Sequence, residues 1–299
     1  MTIVVAGGSG FIGTMLTKRL LAGAHTVIVV DIVAPRFTHE KLFFIQCDIT
    51  KQQLPFNVLE QTDVVINLAG RTIFGKWNDR VKQEILDTRI LSTRHIVESM
   101  KQATNRPTVL INASAVGYYG DRANEQLSDR AHPGTGFLAE TVVAWEQEAY
   151  KADEFGTRVV CIRTAPVVGH GGLLATIKQS ARFGFLLKLT NKDFYQVWIH
   201  EDDIVEAYLF ALHTSTLQGS VNAAAPEQVT HSAFMNTVAA VMHRRVIGAL
   251  PRFIGKRMFG EFLIETTKSQ CVVPQRLLDK GFVFTHPHLK EAIVAASKK

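Results

Sequence analysis

What this chain lacks bounds it before any motif is read. It holds three cysteines, Cys47, Cys161 and Cys271, widely spaced and without a Cys-x-x-Cys pair. An odd, scattered set fits buried reduced thiols rather than a disulfide framework or a cysteine zinc site, and no metal site is read from the sequence. No apolar run reaches the roughly 18 residues that cross a bilayer. The N-terminus lacks the basic flank, long apolar centre and small-residue cleavage site of a secretion signal, so a cytoplasmic chain with no membrane partner is expected. Internal repeats, low-complexity linkers and a disorder-like composition are missing too. The formal charge is only +6 over 299 residues. Most of it falls between residues 240 and 280, where Arg244, Arg245, Arg252, Lys256, Arg257, Lys268, Arg276 and Lys280 outnumber Glu261, Glu265 and Asp279. Such a cluster either steers an anionic partner or is ordinary solvated surface. Without a helix-turn-helix, finger or RNA-binding signature it does not indicate nucleic acid.

The densest positive signal lies in the first thirteen residues. Met1 to Ala6 reads as a buried strand that runs into Gly7-Gly8-Ser9-Gly10-Phe11-Ile12-Gly13, a GxxGxxG loop opening a helix. A pyrophosphate rests on a helix N-terminus only where the backbone comes close. Side chains at Gly7, Gly10 and Gly13 would obstruct the tight turn, the phosphate contact and the helix-on-strand packing respectively. Ile12, Met15, Leu16 and Leu20 then fall at helical spacing, Gly23 marks a stop, and a second apolar strand, Val27 to Val30, ends at Asp31. An acidic residue about 20 positions beyond such a loop is where a ribose 2′-hydroxyl is bound.

Alternation continues downstream. Strands are predicted at Lys41 to Ile49, Asp63 to Leu68, Thr108 to Asn112 and Val159 to Arg163, with helices from about Asn78 to Met100 and Thr135 to Phe155. Repeated βα units mean a parallel sheet with helices on both faces. The fold class expected is α/β: a Rossmann doubly wound parallel sheet in residues 1–165, then a smaller α+β substrate domain in 166–299, of which about 197–215 returns to the sheet. Ligands in such sheets bind beyond the carboxyl ends of the strands, and Gly7, Asp31, Asp48, Asn67 to Gly70, Ser114 and Thr164 to Pro166 fall there. Asp202 and Asp203 are predicted to cap a helix from Ile204 to His213.

GGSGFIG at residue 7, NLAG at 67, DTRILSTR at 87, SAVGYYG at 114, WE at 145, WIHEDDI at 198 and LPRF at 250, followed by VPQRLLDKGFVFTHPHLKEAI, give the chain a family likeness. It resembles the extended short-chain dehydrogenases, within them the atypical epimerase-like, YfcH-like group with its DUF1731-like C-terminal module, nearly end to end. The resemblance implies bound NAD(P), with Gly7, Gly10, Phe11, Ile12 and Gly13 at the pyrophosphate and Asp48 with Ile49 against adenine. It places Leu68, Ala69, Gly70 and Arg71 along the ribose-phosphate path and Pro166 with Val167 at the nicotinamide. For Leu68 and Ile49 a plain core role is an equal alternative. Members of the group often carry a small residue and then arginine where this chain has Asp31-Ile32. A carboxylate accepts both ribose hydroxyls and repels a 2′-phosphate, so NAD is expected over NADP, with Arg36 nearby as a complication. Relatives suggest a homodimer through two sheet-flanking helices.

Catalysis is where the chain departs from its likeness. Active extended relatives pair tyrosine with lysine four residues on, so that a phenolate can exchange a proton as hydride moves. Here the helix reads Gly136-Phe137-Leu138-Ala139-Glu140-Thr141-Val142, and the usual serine position is Ala115. Ser114, Tyr118 and Tyr119 are the remaining catalytic candidates, with a pocket-wall role as the alternative. Trp77, Arg89 and His200 are the candidates for holding substrate. Arg89 stands where many relatives have asparagine, and it either grips a carboxylate or phosphate or forms a helix salt bridge. His200 is otherwise a structural histidine. Two functions remain: an NAD(P)-dependent, epimerase-like oxidoreductase for a small polar or nucleotide-sugar-like substrate without the Tyr/Lys pair, or a non-catalytic NAD(P)-binding redox sensor.

Overall fold

The structure, a computed structural model, describes residues 1–181 and 184–298. β1 (Thr2–Ala6), β2 (Thr26–Asp31), β3 (Leu42–Gln46), β4 (Val64–Asn67), β5 (Val109–Ala115), β6 (Arg158–Thr164) and β7 (Gly219–Ala223) form one sheet. Its order is β7-β6-β5-β4-β1-β2-β3, and every pairing is parallel. Strands buried on both faces must be apolar throughout, which is why β1 and β4 read as continuous Ile/Val runs. Connections from β1 leave to one side and those from β4 to the other. A crevice therefore opens between the carboxyl ends of β1 and β4, the topological switch point of such sheets.

Among the described residues, four long helices cover the sheet. α1 (Phe11–Ala22) and α4 (Glu201–His213) pack together on one face over Ile3, Val5, Val27 and Val29. α2 (Asp79–Gln102) and α3 (Phe137–Tyr150) lie on the other, joined by Trp145 Nε1 donating to Thr93 Oγ1 at 2.8 Å. Burying each such aliphatic side chain contributes about 1.5–3 kcal/mol. Asn78 starts α2 by accepting from the Val81 amide at 2.9 Å. A separate apolar cluster built from Trp198, Phe234, Met235, Leu289 and Ile293 holds the C-terminal segments together.

Several boundaries differ from expectation for local reasons. β3 stops at Gln46 because Asp48 accepts from the Thr50 hydroxyl at 2.6 Å and turns the chain. β5 runs on to Ala115, paired with β6 through Thr164. The helix predicted to Phe155 ends at Tyr150, tightens into a 3-10 turn over Lys151–Phe155 and terminates at left-handed Gly156. At α4 the expected caps are corrected: His200 accepts from the Asp202 amide at 3.2 Å, while Asp203 accepts the Thr285 and His286 amides at 2.6 and 3.0 Å. Its carboxylate is drawn to a chain segment 82 residues away because those amides would otherwise be half-buried without an acceptor.

Candidate nucleotide and substrate site

The glycine loop occupies the crevice. Gly7 has φ of +74° and donates to Val30 O at 2.9 Å. A Cβ there would sit 2.7 Å from the Leu68 carbonyl carbon, so the loops after β1 and β4 touch backbone to backbone. A Cβ on Gly13 would strike Gly7 O and come within 2.7 Å of Gly8 Cα. Gly10 caps α1 without a side chain. First-turn amides have no intrahelical acceptor, so those of Phe11, Ile12 and Gly13 are left for an anion. These are the features of a cradle that admits a closely approaching phosphate chain, and the residues present fit a dinucleotide.

Around the cradle, Asp31 Oδ2 accepts the Ser9 amide at 3.0 Å and Oδ1 the Ile32 amide at 2.7 Å, fixing the carboxylate at the rim of the loop. Arg36 is exposed. Asp48 makes its own turn, with its carboxyl held below the usual carboxylate range first by Lys51 and then by Thr50. Ile49 lies in the core between the sheet and α2, its carbonyl 2.8 Å from His95 Nδ1. Buried Asn67 braces the next loop: its Oδ1 accepts the Ala69 amide at 3.1 Å and its Nδ2 donates to Thr93 and Asn112. Leu68 is only partly buried, and Arg71 is committed to Glu84. Val167 pairs in register with Ile199, and Pro166 O accepts the Ile199 amide.

The glycine-rich stretch from Gly169 to Gly172 reads in the sequence as a flexible turn, and the structure sets it against the cradle. A Cβ at Gly171 would meet the Phe11 ring at 2.7 Å, so residues 169–171 lie against the opening of α1. Buried Glu201 anchors that turn, accepting the His170 amide at 2.7 Å and contacting His170 Nδ1. The glycines mark the turn in the sequence, but its contacts with Phe11 and Glu201 come from distant parts of the chain.

Two of the three catalytic candidates are tied into the interior. Ser114 Oγ donates to Glu146 Oε1 at 2.6 Å in the interior. Tyr119 is fully buried; its hydroxyl donates to Asn222 Oδ1 at 2.6 Å and accepts from Arg163, and burial pushes it up to about 12. The Tyr118 ring lies 3.5 Å from the Arg163 guanidinium and lines a polar cleft of about 460 Å³ with Arg130, Tyr150, Ser220 and Arg276, beside edge strand β7. At the start of α3, Leu138 fills the space against Gly117.

Of the substrate candidates, Trp77 and Arg89 both neighbour Ile85, whereas His200 starts α4. Trp77 donates to Ile73 O at 2.7 Å and packs edge-on against Phe137 and Phe262, which makes it a core residue under the C-terminal segment. His200 is buried at the head of α4. Arg89 projects towards the end of β4, its Cγ 3.6 Å from where a Gly70 Cβ would be. Its Nη1 donates to Ile85 O at 3.0 Å and its guanidinium stacks on Trp145. Burial brings it down to about 10, still cationic at neutral pH, and among the described residues no carboxylate pairs with it.

A family model described as NAD dependent epimerase/dehydratase family matches residues 3–224, and one for a domain of unknown function, DUF1731, matches residues 250–296. The chain is 31% identical to the Epimerase family protein YfhF of Bacillus subtilis, over 98% of this chain and 97% of that protein. It is 33% identical to the Epimerase family protein Mb2239 of Mycobacterium bovis, over 99% and 98%. A crystal structure of the human epimerase family protein SDR39U1 with NADPH superposes at TM-score 0.87 with 26% identity and full coverage of both chains. UDP-glucuronic acid 4-epimerase from Bacillus cereus shares the fold at TM-score 0.82 and 19% identity. No helix among the described residues is long and apolar enough to cross a membrane.

Proposed function

The chain belongs to the NAD dependent epimerase/dehydratase family, and from that premise we propose that it is an oxidoreductase with epimerase-like chemistry on a small anionic substrate of nucleotide-sugar type. The observation that carries this reading is Arg89. A half-buried cation beside Gly70 with no carboxylate partner among the described residues is stable only at a cost unless an anion neutralises it. Its planar fork suits a carboxylate or phosphate.

Gly7, Gly10, Phe11, Ile12 and Gly13 would hold the pyrophosphate of the dinucleotide, and Asp31 the adenosine ribose. The bound dinucleotide supplies a hydride acceptor and donor. Asp31 argues for NAD over NADP because a carboxylate fixed at the end of β2 would repel a 2′-phosphate bound beside it, although the human relative was crystallised with NADPH. Ser114 and Tyr119 act as positioning residues that stiffen the end of β5. Leu138 cannot exchange a proton, so proton transfer would fall to a nonstandard group near Ser114 and Tyr118, with Tyr118 the candidate whose phenol could serve. A homodimer and a cytoplasmic location remain part of the proposal.

The second reading, a cofactor-binding regulator without turnover, is favoured by the commitment of Ser114 and Tyr119 to the interior. Titration with NADH and NADPH, followed by nicotinamide fluorescence, tests the cradle. Reduction of bound NAD by a panel of nucleotide-sugars, compared between the native protein and Arg89→Met, then separates the readings. Reduction that depends on Arg89 supports the enzyme, and tight cofactor binding with no reduction by any member supports the regulator.

A further inference from the structure

On the side of α4 away from its C-terminus, two histidines and an aspartate from distant parts of the chain meet. Asp202 Oδ2 lies 3.5 Å from His200 Nδ1 and 3.5 Å from His286 Nε2. The three ligand atoms all fall within 4.8 Å of one another, so a single point lies no more than about 2.4 Å from each, close to the ~2.0–2.2 Å of zinc bonds to imidazole and carboxylate. The two imidazole rings are 3.9 Å apart, tilted by 51°. We propose that His200, Asp202 and His286 form a binding site for a divalent transition-metal ion, Zn²⁺ being the cation whose ligand preferences match, with water completing the shell.

Three features support it. The residues supply two borderline-soft nitrogens and one carboxylate, a set that suits Zn²⁺, Co²⁺ or Fe²⁺ and not the all-oxygen shells of Mg²⁺ or Ca²⁺. Supporting contacts fix both sides: His200 is 1% exposed and starts α4, while Asp203 grips the amides of Thr285 and His286 and so holds the His286 backbone beside it. Access exists, because Asp202 and His286 keep 40% and 17% of their side-chain surface. The positive end of the α4 dipole opposes a cation here, but Glu201, Asp202 and Asp203 in the first turn reverse the local sign. His200 Nδ1 must release the Asp202 amide to bind the ion, which holds affinity below that of a preformed site. The ion would tie the segment around residue 286 to α4, a clasp between parts of the chain more than 80 residues apart, separate from the glycine cradle.

The test uses the full chain, freed of any affinity tag and stripped with a chelator, titrated with Zn²⁺ by calorimetry and with Co²⁺ by visible absorption. One ion per chain is expected, with the intense ligand-field bands of a low-symmetry Co²⁺ site and a raised melting temperature. His286→Ala and Asp202→Asn, both partly exposed, should each weaken binding at least about tenfold, while circular dichroism stays native. The proposal is overturned if neither ion binds, or if binding persists undiminished in both variants, which would place the ion elsewhere. If one variant fails to fold, the other decides.

Discussion

Replacing Glu146 with glutamine should cost this protein more stability than any surface change, and the structure says how much. Glu146 is 4% exposed and accepts four hydrogen bonds: from Ser114 Oγ at 2.6 Å, from Arg163 Nε and Nη2 at 2.8 Å each, and from Ser220 Oγ at 2.8 Å. Both members of the Glu146–Arg163 pair keep only 5% of their side-chain surface. Neutralising one member leaves a buried guanidinium uncompensated, for which about 3–5 kcal/mol is typical. At about 2–4 °C per kcal/mol for a chain of this size, the melting temperature should fall by roughly 6–20 °C. Replacing both, as Glu146→Leu with Arg163→Met, removes the stranded charge and should recover much of the loss, because apolar substitutes for a buried pair are often near neutral. Recovery will be incomplete, since Arg163 also donates to the Tyr119 hydroxyl and to Asp129 O. Urea unfolding of the native protein, both singles and the double gives the coupling energy directly. A single-variant loss below about 1 kcal/mol, the range of an exposed pair, would refute the argument that this interior pair is desolvated and mutually dependent.

His231 is buried, and desolvation brings its pKa from 6.5 to about 4. The unfolded chain therefore takes up the proton first, and up to about 3 kcal/mol of stability should drain away as pH falls from 6.5 towards 4; the difference between native and His231→Phe melting curves over that window should isolate it, and parallel curves would disprove it. Gly13→Ala should abolish dinucleotide binding and cost about 1–3 kcal/mol, because its Cβ meets the backbone of Gly7 and Gly8. Fluorescence titration of a variant that still binds NADH tightly would count against the cradle. Asp31→Asn keeps an acceptor for the Ser9 amide but removes the charge, so its NADPH affinity relative to NADH should rise at least about tenfold, equivalent to about 1.4 kcal/mol; an unchanged ratio would mean that Asp31 does not set the preference.

Local patterns made much of this molecule legible. Apolar runs, glycine spacing and 3.6-residue periodicity are properties of contiguous residues, and they determined the parallel α/β sheet, the cradle opening α1 and the position of Asp31 at the end of β2. They also revealed the missing tyrosine and lysine, because an absence at a fixed spacing needs no tertiary information. Where side chains point across the fold was decided only by the assembled chain. Ser114 was recognisable as a residue at a strand end, but nothing near it in sequence announced Glu146 32 residues on. The same holds for Tyr119, whose phenol meets Asn222 on β7, and for Trp77, whose partner Phe262 comes from the C-terminal segment. Asp202 and Asp203 were read as caps because helix N-termini attract carboxylates; tertiary contacts gave Asp203 better donors and set Asp202 between two histidines, one of them 84 positions later. A pattern in sequence reports which face of an element is apolar and where a backbone must bend. It cannot report which distant polar group will be carried within 3 Å, because that depends on how the elements stack once each has buried its own apolar face.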